Sequence, residues 1–163
     1  MPSEYSFDVV SDFDRQELVN ALDQAKREIG ARYDFKGVTA DIELEKEAIT
    51  ITTASDMQLK AIIDVVQSKL AKRGIDMKIL DPQKVEDAAK GNIRQEVKLR
   101  KGIDSDTSRD LVKKIKAEHP KAQVKIQDDQ LRVSSKDKDT LQSIQQFLRD
   151  MELDRPLQFT NYR

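Results

Sequence analysis

The sequence predicts an α+β fold of two four-stranded antiparallel sheets, each covered on one face by two helices. Three observations carry this. The order strand, helix, strand, strand, helix, strand occurs twice along 163 residues. Both hairpins place apolar side chains at every second position, the period of a half-buried strand. All four helical segments carry their apolar residues in a single stripe.

The first unit opens with "YSFDVVS" (5–11), where Tyr5, Phe7 and Val9 alternate with polar residues. Asp14 is a helix cap, with Glu17 three residues on as a capping-box partner. Leu18, Leu22, Ala25 and Ile29 then line one helix face ending near Arg32. "TADIELEK" and "AITITTA" form a hairpin across Lys46-Glu47, with Ile42, Leu44, Ile49 and Ile51 inward and Asp41, Glu43, Thr50 and Thr52 outward. Ser55 or Asp56 caps the second helix, which carries Leu59, Ile62, Ile63, Val66 and Leu70 and stops at Gly74. "MKIL" is a fourth strand, ended by Pro82.

The second unit repeats the order. "IRQEVKLR" (93–100) is a strand, and Asp106 or Ser108 opens a helix that ends at His119-Pro120. "AQVKIQ" and "QLRVSS" pair across Asp128-Asp129, with Val124, Ile126, Leu131 and Val133 inward and Lys125, Gln130 and Arg132 outward. A helix with Leu141, Ile144, Leu148 and Met151 follows, then "LQFTNY" after Pro156. This βαββαβ order is the ferredoxin-like plan. The boundaries read as 1–82, a linker at 83–92, and 93–163. Units of this size are small for independent stability, so the halves are expected to be interlocked. In this plan the first and fourth strands are neighbours. Strand 93–100 can therefore return into the first sheet, with 5–11 taking the equivalent place in the second, or each can stay in its own half. The pattern leaves both open.

Charge and composition exclude several classes. The chain has no cysteine, hence no disulfide, thiol chemistry or Cys-ligated metal. It opens without a basic segment and apolar run and holds no membrane-spanning stretch, so a cytoplasmic protein is expected. Net charge is -1, but residues 1–82 hold 11 Lys+Arg against 16 Asp+Glu, and 83–163 hold 18 against 14. The second half is the better candidate for an anionic partner. No phosphate-loop, dinucleotide-fold or nucleophile-elbow motif is present. The lone His119 reads as a helix-end residue, and the Asp pairs as turn residues. Nothing points to an enzyme, a cofactor or a metal. The base-stacking aromatics that RNA-recognition modules carry on their central strands are also missing, since "AITITTA" and "QLRVSS" hold no ring.

What remains is a set of cations near polar loops and strands. Arg32 and Lys36 flank Tyr33 and Phe35 in "ARYDFKG" (31–37), whose rings are candidates for stacking on a base or for closing the core. The equivalent stretch in the second unit, "AEHPKAQ", has no ring, so the fold plan does not demand one. Arg73, Lys98, Arg100, Lys101, Arg132 and Arg163 are the further phosphate candidates. The loops "RKGID" (100–104) and "LAKRGID" (70–76) add glycine-flanked amides for an anion.

The runs "SFDVVSDFDRQELVNALDQAKREIGARYDFKG", "LKAIIDVVQSKLAKRGID", "EVKLRKGID", "VKIQDDQLRVSSKDKDTLQ" and "PLQFTNYR" resemble the YajQ family of small bacterial nucleotide-binding proteins, in order and over nearly the whole chain. The chain departs at Asp128, where the family commonly has glycine. The resemblance implies two RNP-like domains with exchanged first strands, and no catalytic residues. It also implies a nucleotide ligand (GTP, ATP or cyclic di-GMP) or an RNA such as transfer RNA; a protein effector that receives the signal is a further expected partner. The leading expectation is a non-enzymatic nucleotide- or nucleic-acid-binding protein that grips phosphates through Lys, Arg and backbone amides. The alternatives are an adaptor that binds protein through the open sheet faces and a carboxylate–metal hydrolase.

Overall fold

The structure is a computed structural model and describes residues 4–163. Helix α1 (Arg15–Ala31) starts at Asp14, whose carboxylate accepts from the Gln16 and Glu17 amides. Such a cap is worth about 1 kcal/mol. Glu17 does not complete a capping box: its carboxylate is held by Asn20 at 3.3 Å and by Arg73 at 3.4 Å. Helix α2 (Asp56–Lys72) is capped by Ser55. It ends at Gly74, whose φ of 74° lets the Ile75 amide turn back onto the Leu70 carbonyl at 2.9 Å.

Four strands and a two-residue extension flank these helices: β2 (Ala40–Leu44), β3 (Ala48–Thr53), β4 (Leu80–Pro82), β5 (Glu86–Asp87) and β6 (Ile93–Leu99). Their order is β2-β3-β6-β4, with β5 continuing the β4 side of β6. The remaining strands are β1 (Tyr5–Val10), β7 (Gln123–Gln127), β8 (Gln130–Ser135) and β9 (Gln158–Thr160), in the order β7-β8-β1-β9. Helices α3 (Ser105–Glu118) and α4 (Lys138–Asp150) belong to this second sheet. The chain accordingly divides into a unit Phe13–Arg100 and a unit of Lys101–Arg163 with the residues up to Asp12. β6 lies between β3 and β4, the place a first strand takes in βαββαβ order, and β1 lies between β8 and β9.

Each unit has its own core. In the first, Leu18, Leu22 and Ile29 of α1 and Ile62, Val66 and Leu70 of α2 pack on Ile49, Ile51 and Val97. In the second, Leu111, Ile115, Ile144 and Leu148 pack on Phe7, Val9, Leu131 and Val133. The inward sets are those that period-two alternation picks out, except that Ile126, on edge strand β7, is half exposed.

Several boundaries differ from the sequence reading. Met77–Ile79 form a 3-10 turn, because Asp76 caps it through the Lys78 amide, and β4 begins only at Leu80. Pro82 closes that strand from within, at a sheet edge where its missing N–H costs nothing. The expected linker is partly structured: β5 pairs with Arg94 and Ile93. α3 starts at Ser105, not at Asp106 or Ser108. Ser108 is fully buried, its hydroxyl aimed at the Ile103 carbonyl.

Asp128, in the turn between β7 and β8, adopts φ 54°. That region disfavours any side chain by about 1 kcal/mol, less for Asp than for most. Asp128→Gly is therefore expected to raise stability by about 0.5 kcal/mol after glycine's greater unfolded-state entropy is offset. A denaturant titration reads this as a higher midpoint at unchanged slope.

Candidate functional site: the open face of the second sheet

The first loop folds in on itself. Arg32 donates from Nε and Nη2 to both Asp34 oxygens, at 3.0 and 2.7 Å, and lies 5.4 Å from the centre of the Phe35 ring. These bonds hold the Asp34 carboxyl below the ordinary carboxylate range. Phe35 is buried in the first core and offers no face to a base, which corrects its place among stacking candidates. Tyr33 is 88% exposed. Arg32 is spent on its own loop, which leaves Lys36 as the loop's exposed cation near Tyr33.

Other predicted cations are structural too. Arg73 joins Glu17 at 3.4 Å, linking the end of α2 to α1. Arg100 donates to the Lys78 and Leu80 carbonyls at 3.1 and 2.9 Å and to Asp81 at 3.2 Å, fastening the end of β6 to β4. Lys101 lies 3.7 Å from Asp12, largely exposed. The glycine loops hold no open amide nest. The Gly102 amide donates to the Ser11 carbonyl at 2.6 Å and the Ile103 amide to the Asp129 carbonyl at 2.9 Å. A Cβ on Gly102 would sit 2.5 Å from an Asp129 carboxylate oxygen, so an acidic group already faces this loop. Arg155 closes it from the Gly102 carbonyl (3.1 Å) and Asp104 (3.1 Å). Thr107 and then Arg155 hold the Asp104 carboxyl below its ordinary range.

The open face of the second sheet differs. Phe7 and Val9 point into the core, so Ser6 and Asp8 point out. By the register, Lys125, Arg132, Asp8 and Thr160 form one row across β7, β8, β1 and β9. Arg132 donates from Nε to Asp8 Oδ1 at 2.9 Å and from Nη2 to Oδ2 at 3.3 Å, and Asn161 donates to Oδ2 at 2.9 Å. Asp8 is only 6% exposed. The Arg132 bond keeps its carboxyl below the ordinary range against the opposing effect of burial, with help from Asn161 and the charge of Arg163.

The tail that brings Asn161 and Arg163 here is bulged. Thr160 pairs with Asp8, so Ser6 should meet Tyr162. Instead Ser6 and Arg163 exchange two backbone bonds of 3.2 and 3.0 Å. The extra residue is Asn161, at φ 56°. A bulge re-aims side chains, and this one puts Arg163 on the same face as Ser6, Asp8 and Arg132. The amide side chain suits Asn161 both to its backbone and to Asp8. Sequence reasoning passed over Asp8, although its outward position between Phe7 and Val9 was legible.

A folded-state pKa below the unfolded value means the Asp8 contribution is complete above about pH 4 and is lost as pH falls through the folded pKa. Asp8→Asn is expected to cost about 2 kcal/mol at pH 7, as charge-assisted bonds do. The difference from the parent should shrink as pH falls through the lowered pKa of Asp8, where the parent's carboxyl takes up its proton as well.

The two sheets carry opposite charge on their open faces. On the first, the register brings out Asp41, Glu43, Asp81, Glu86 and Glu96 against Arg94 and Lys98. A concavity of about 470 Å³ there is lined by Glu45, Glu86 and Glu96 as well as Lys84, Arg94 and Lys98, a balanced set. Lys98 sits in that company. On the second, Lys125, Arg132 and Arg163 face one carboxylate, Asp8, already neutralised. The sequence-level imbalance between halves disappears in the folded units. Phe13–Arg100 holds 16 Lys+Arg and 16 Asp+Glu, which leaves 13 and 14 of the chain's 29 and 30 for the other unit. The anion preference is local to one face, not a property of one half.

Among the described residues, no group of three His, Asp or Glu side chains is placed to hold a metal ion, and no helix is long and apolar enough to cross a membrane. Fold and face together define a tandem ferredoxin-like protein with one cationic open sheet. The chain belongs to the family described as "Nucleotide-binding protein YajQ-like", whose model matches residues 5–163. It is 53% identical over 163 residues, the whole of both chains, to proteins from Synechococcus sp. (strain JA-2-3B'a(2-13)) and Trichodesmium erythraeum (strain IMS101). It is 52% identical over 165 aligned positions, again the whole of both chains, to one from Prochlorococcus marinus (strain MIT 9211). The first two are named "Nucleotide-binding protein", and the third carries the same description.

Proposed function

We propose that this protein is a non-enzymatic nucleotide-binding protein that holds the phosphates of its ligand on the open face of the second sheet. The observation that carries the reading is the row Lys125, Arg132, Asp8 with Asn161 and Arg163 beside it. The single carboxylate is neutralised and buried, and the cations around it face solvent. The family and its relatives' names support nucleotide binding; GTP, ATP and cyclic di-GMP are the ligands to try first. Lys125 and Arg163 make direct phosphate contacts. Arg132 offers its remaining N–H donors from a fixed position, since Asp8 balances its charge and holds its guanidinium rigid. The amides of Gly74, Ile75, Gly102 and Ile103 take no part, because they are already bonded. Tyr33 and Lys36 belong to the unit Phe13–Arg100, and the reading gives them no role. The adaptor alternative has the acidic face of the first sheet as its natural surface.

The test is a titration of the purified protein with GTP, ATP and cyclic di-GMP at about 50 and 200 mM salt. Saturable binding that weakens steeply with salt is expected, because each phosphate contact by Lys or Arg displaces counterions. No saturable binding by any of the three overturns the proposal.

A further inference from the structure

We infer that this face grips the phosphate chain of its ligand and is blind to the base. The inference rests on the nucleotide-binding reading above. A base is read by stacking on a ring and by donors and acceptors matched to its edge. Among the described residues, the outward side of the second sheet carries no ring: Phe7 and Phe159 pack beneath it, edge to face at 5.5 Å, and the exposed Tyr5 and Tyr162 lie on the helix side, Tyr162 against Phe7 and bonded to Gln145 of α4. The charged acceptor on this face able to read the N–H groups of a base is Asp8, which is 6% exposed and has both oxygens bonded, one by Arg132 and the other by Arg132 and Asn161. What the face offers outward is donors, the ammonium of Lys125 and the guanidinium groups, set among serine and threonine hydroxyls. Charged donors whose only open acceptors are neutral hydroxyls and carboxamides, with no ring among them, match oxyanions better than base edges. The carboxamides at the rim, such as Gln123 and Gln127, are exposed. An exposed neutral hydrogen bond is worth at most about tenfold in affinity.

The experiment is calorimetric titration at low salt with GTP, ATP, inorganic tripolyphosphate, guanosine and adenosine. GTP, ATP and tripolyphosphate are expected to bind within about fivefold of one another, and the nucleosides not to saturate. Lys125→Glu with Arg163→Gln should weaken tripolyphosphate and both nucleotides together. A preference between GTP and ATP above about twentyfold, saturable nucleoside binding, or failure of tripolyphosphate where nucleotides bind overturns this inference and leaves the nucleotide-binding reading standing. Tripolyphosphate binding that survives the double substitution overturns this inference and the placement of the phosphates on this face. Absence of binding by all three anions overturns this inference, and the nucleotide-binding reading falls with it only if cyclic di-GMP fails to bind as well.

Discussion

Phe7→Ala is expected to destabilise the protein by about 3–5 kcal/mol, the range for truncating a buried phenylalanine. Phe7 has no exposed surface and packs on Phe159 and Tyr162 at ring-centre distances of 5.5 and 6.3 Å. The location of the damage is as informative as its size. Although Phe7 lies at the start of the chain, its core partners are Leu111, Leu131, Val133 and Ile144. Hydrogen exchange should therefore quicken at the amides of β7 and β8 and hold at β2 and β3. Loss of protection at Ile49 and Ile51 instead would mean that β1 stands in the first sheet.

The second large effect is on binding. Lys125→Glu combined with Arg163→Gln changes the charge of the proposed face by three units and breaks no side-chain bond described above. Nucleotide affinity is expected to fall by about thirtyfold or more at 50 mM salt, and the gap to narrow at 200 mM as screening removes the field that the substitutions reverse. The fold should survive within about 0.5 kcal/mol, as for surface substitutions in general. The parallel change Arg32→Gln with Arg73→Gln should leave affinity unaltered, because those guanidinium groups are bound to Asp34 and Glu17.

Much of the fold was legible because its information is local. Period-two alternation at Ile49, Ile51, Leu131 and Val133 and the caps at Asp14 and Ser55 depend on near neighbours. The partner of each first strand was not legible. Tyr5–Val10 and Ile93–Leu99 carry similar alternation, and nothing within either run says which sheet it enters. The site suffered from the same gap. Cations could be counted along the chain, but whether each was free depended on contacts distant in sequence. Arg100 is spent on carbonyls about twenty residues away, while Arg132 meets an aspartate 124 residues away. The bulge at Asn161 was invisible for a further reason. It shows only against the register of β1, which places Ser6 opposite Arg163. In "ARYDFKG" the sequence offered two rings and two cations as equals. Burial separated them, taking Phe35 into the core and leaving Tyr33 outside.

The measurement that bears most directly on the proposed function is amide chemical-shift mapping of the protein titrated with GTP. Saturating shifts confined to Ser6–Val9, Gln123–Gln127, Gln130–Ser134 and Gln158–Arg163 are the predicted result. Shifts centred instead on Asp41–Thr52 and Arg94–Lys98, the acidic face of the first sheet, would contradict it.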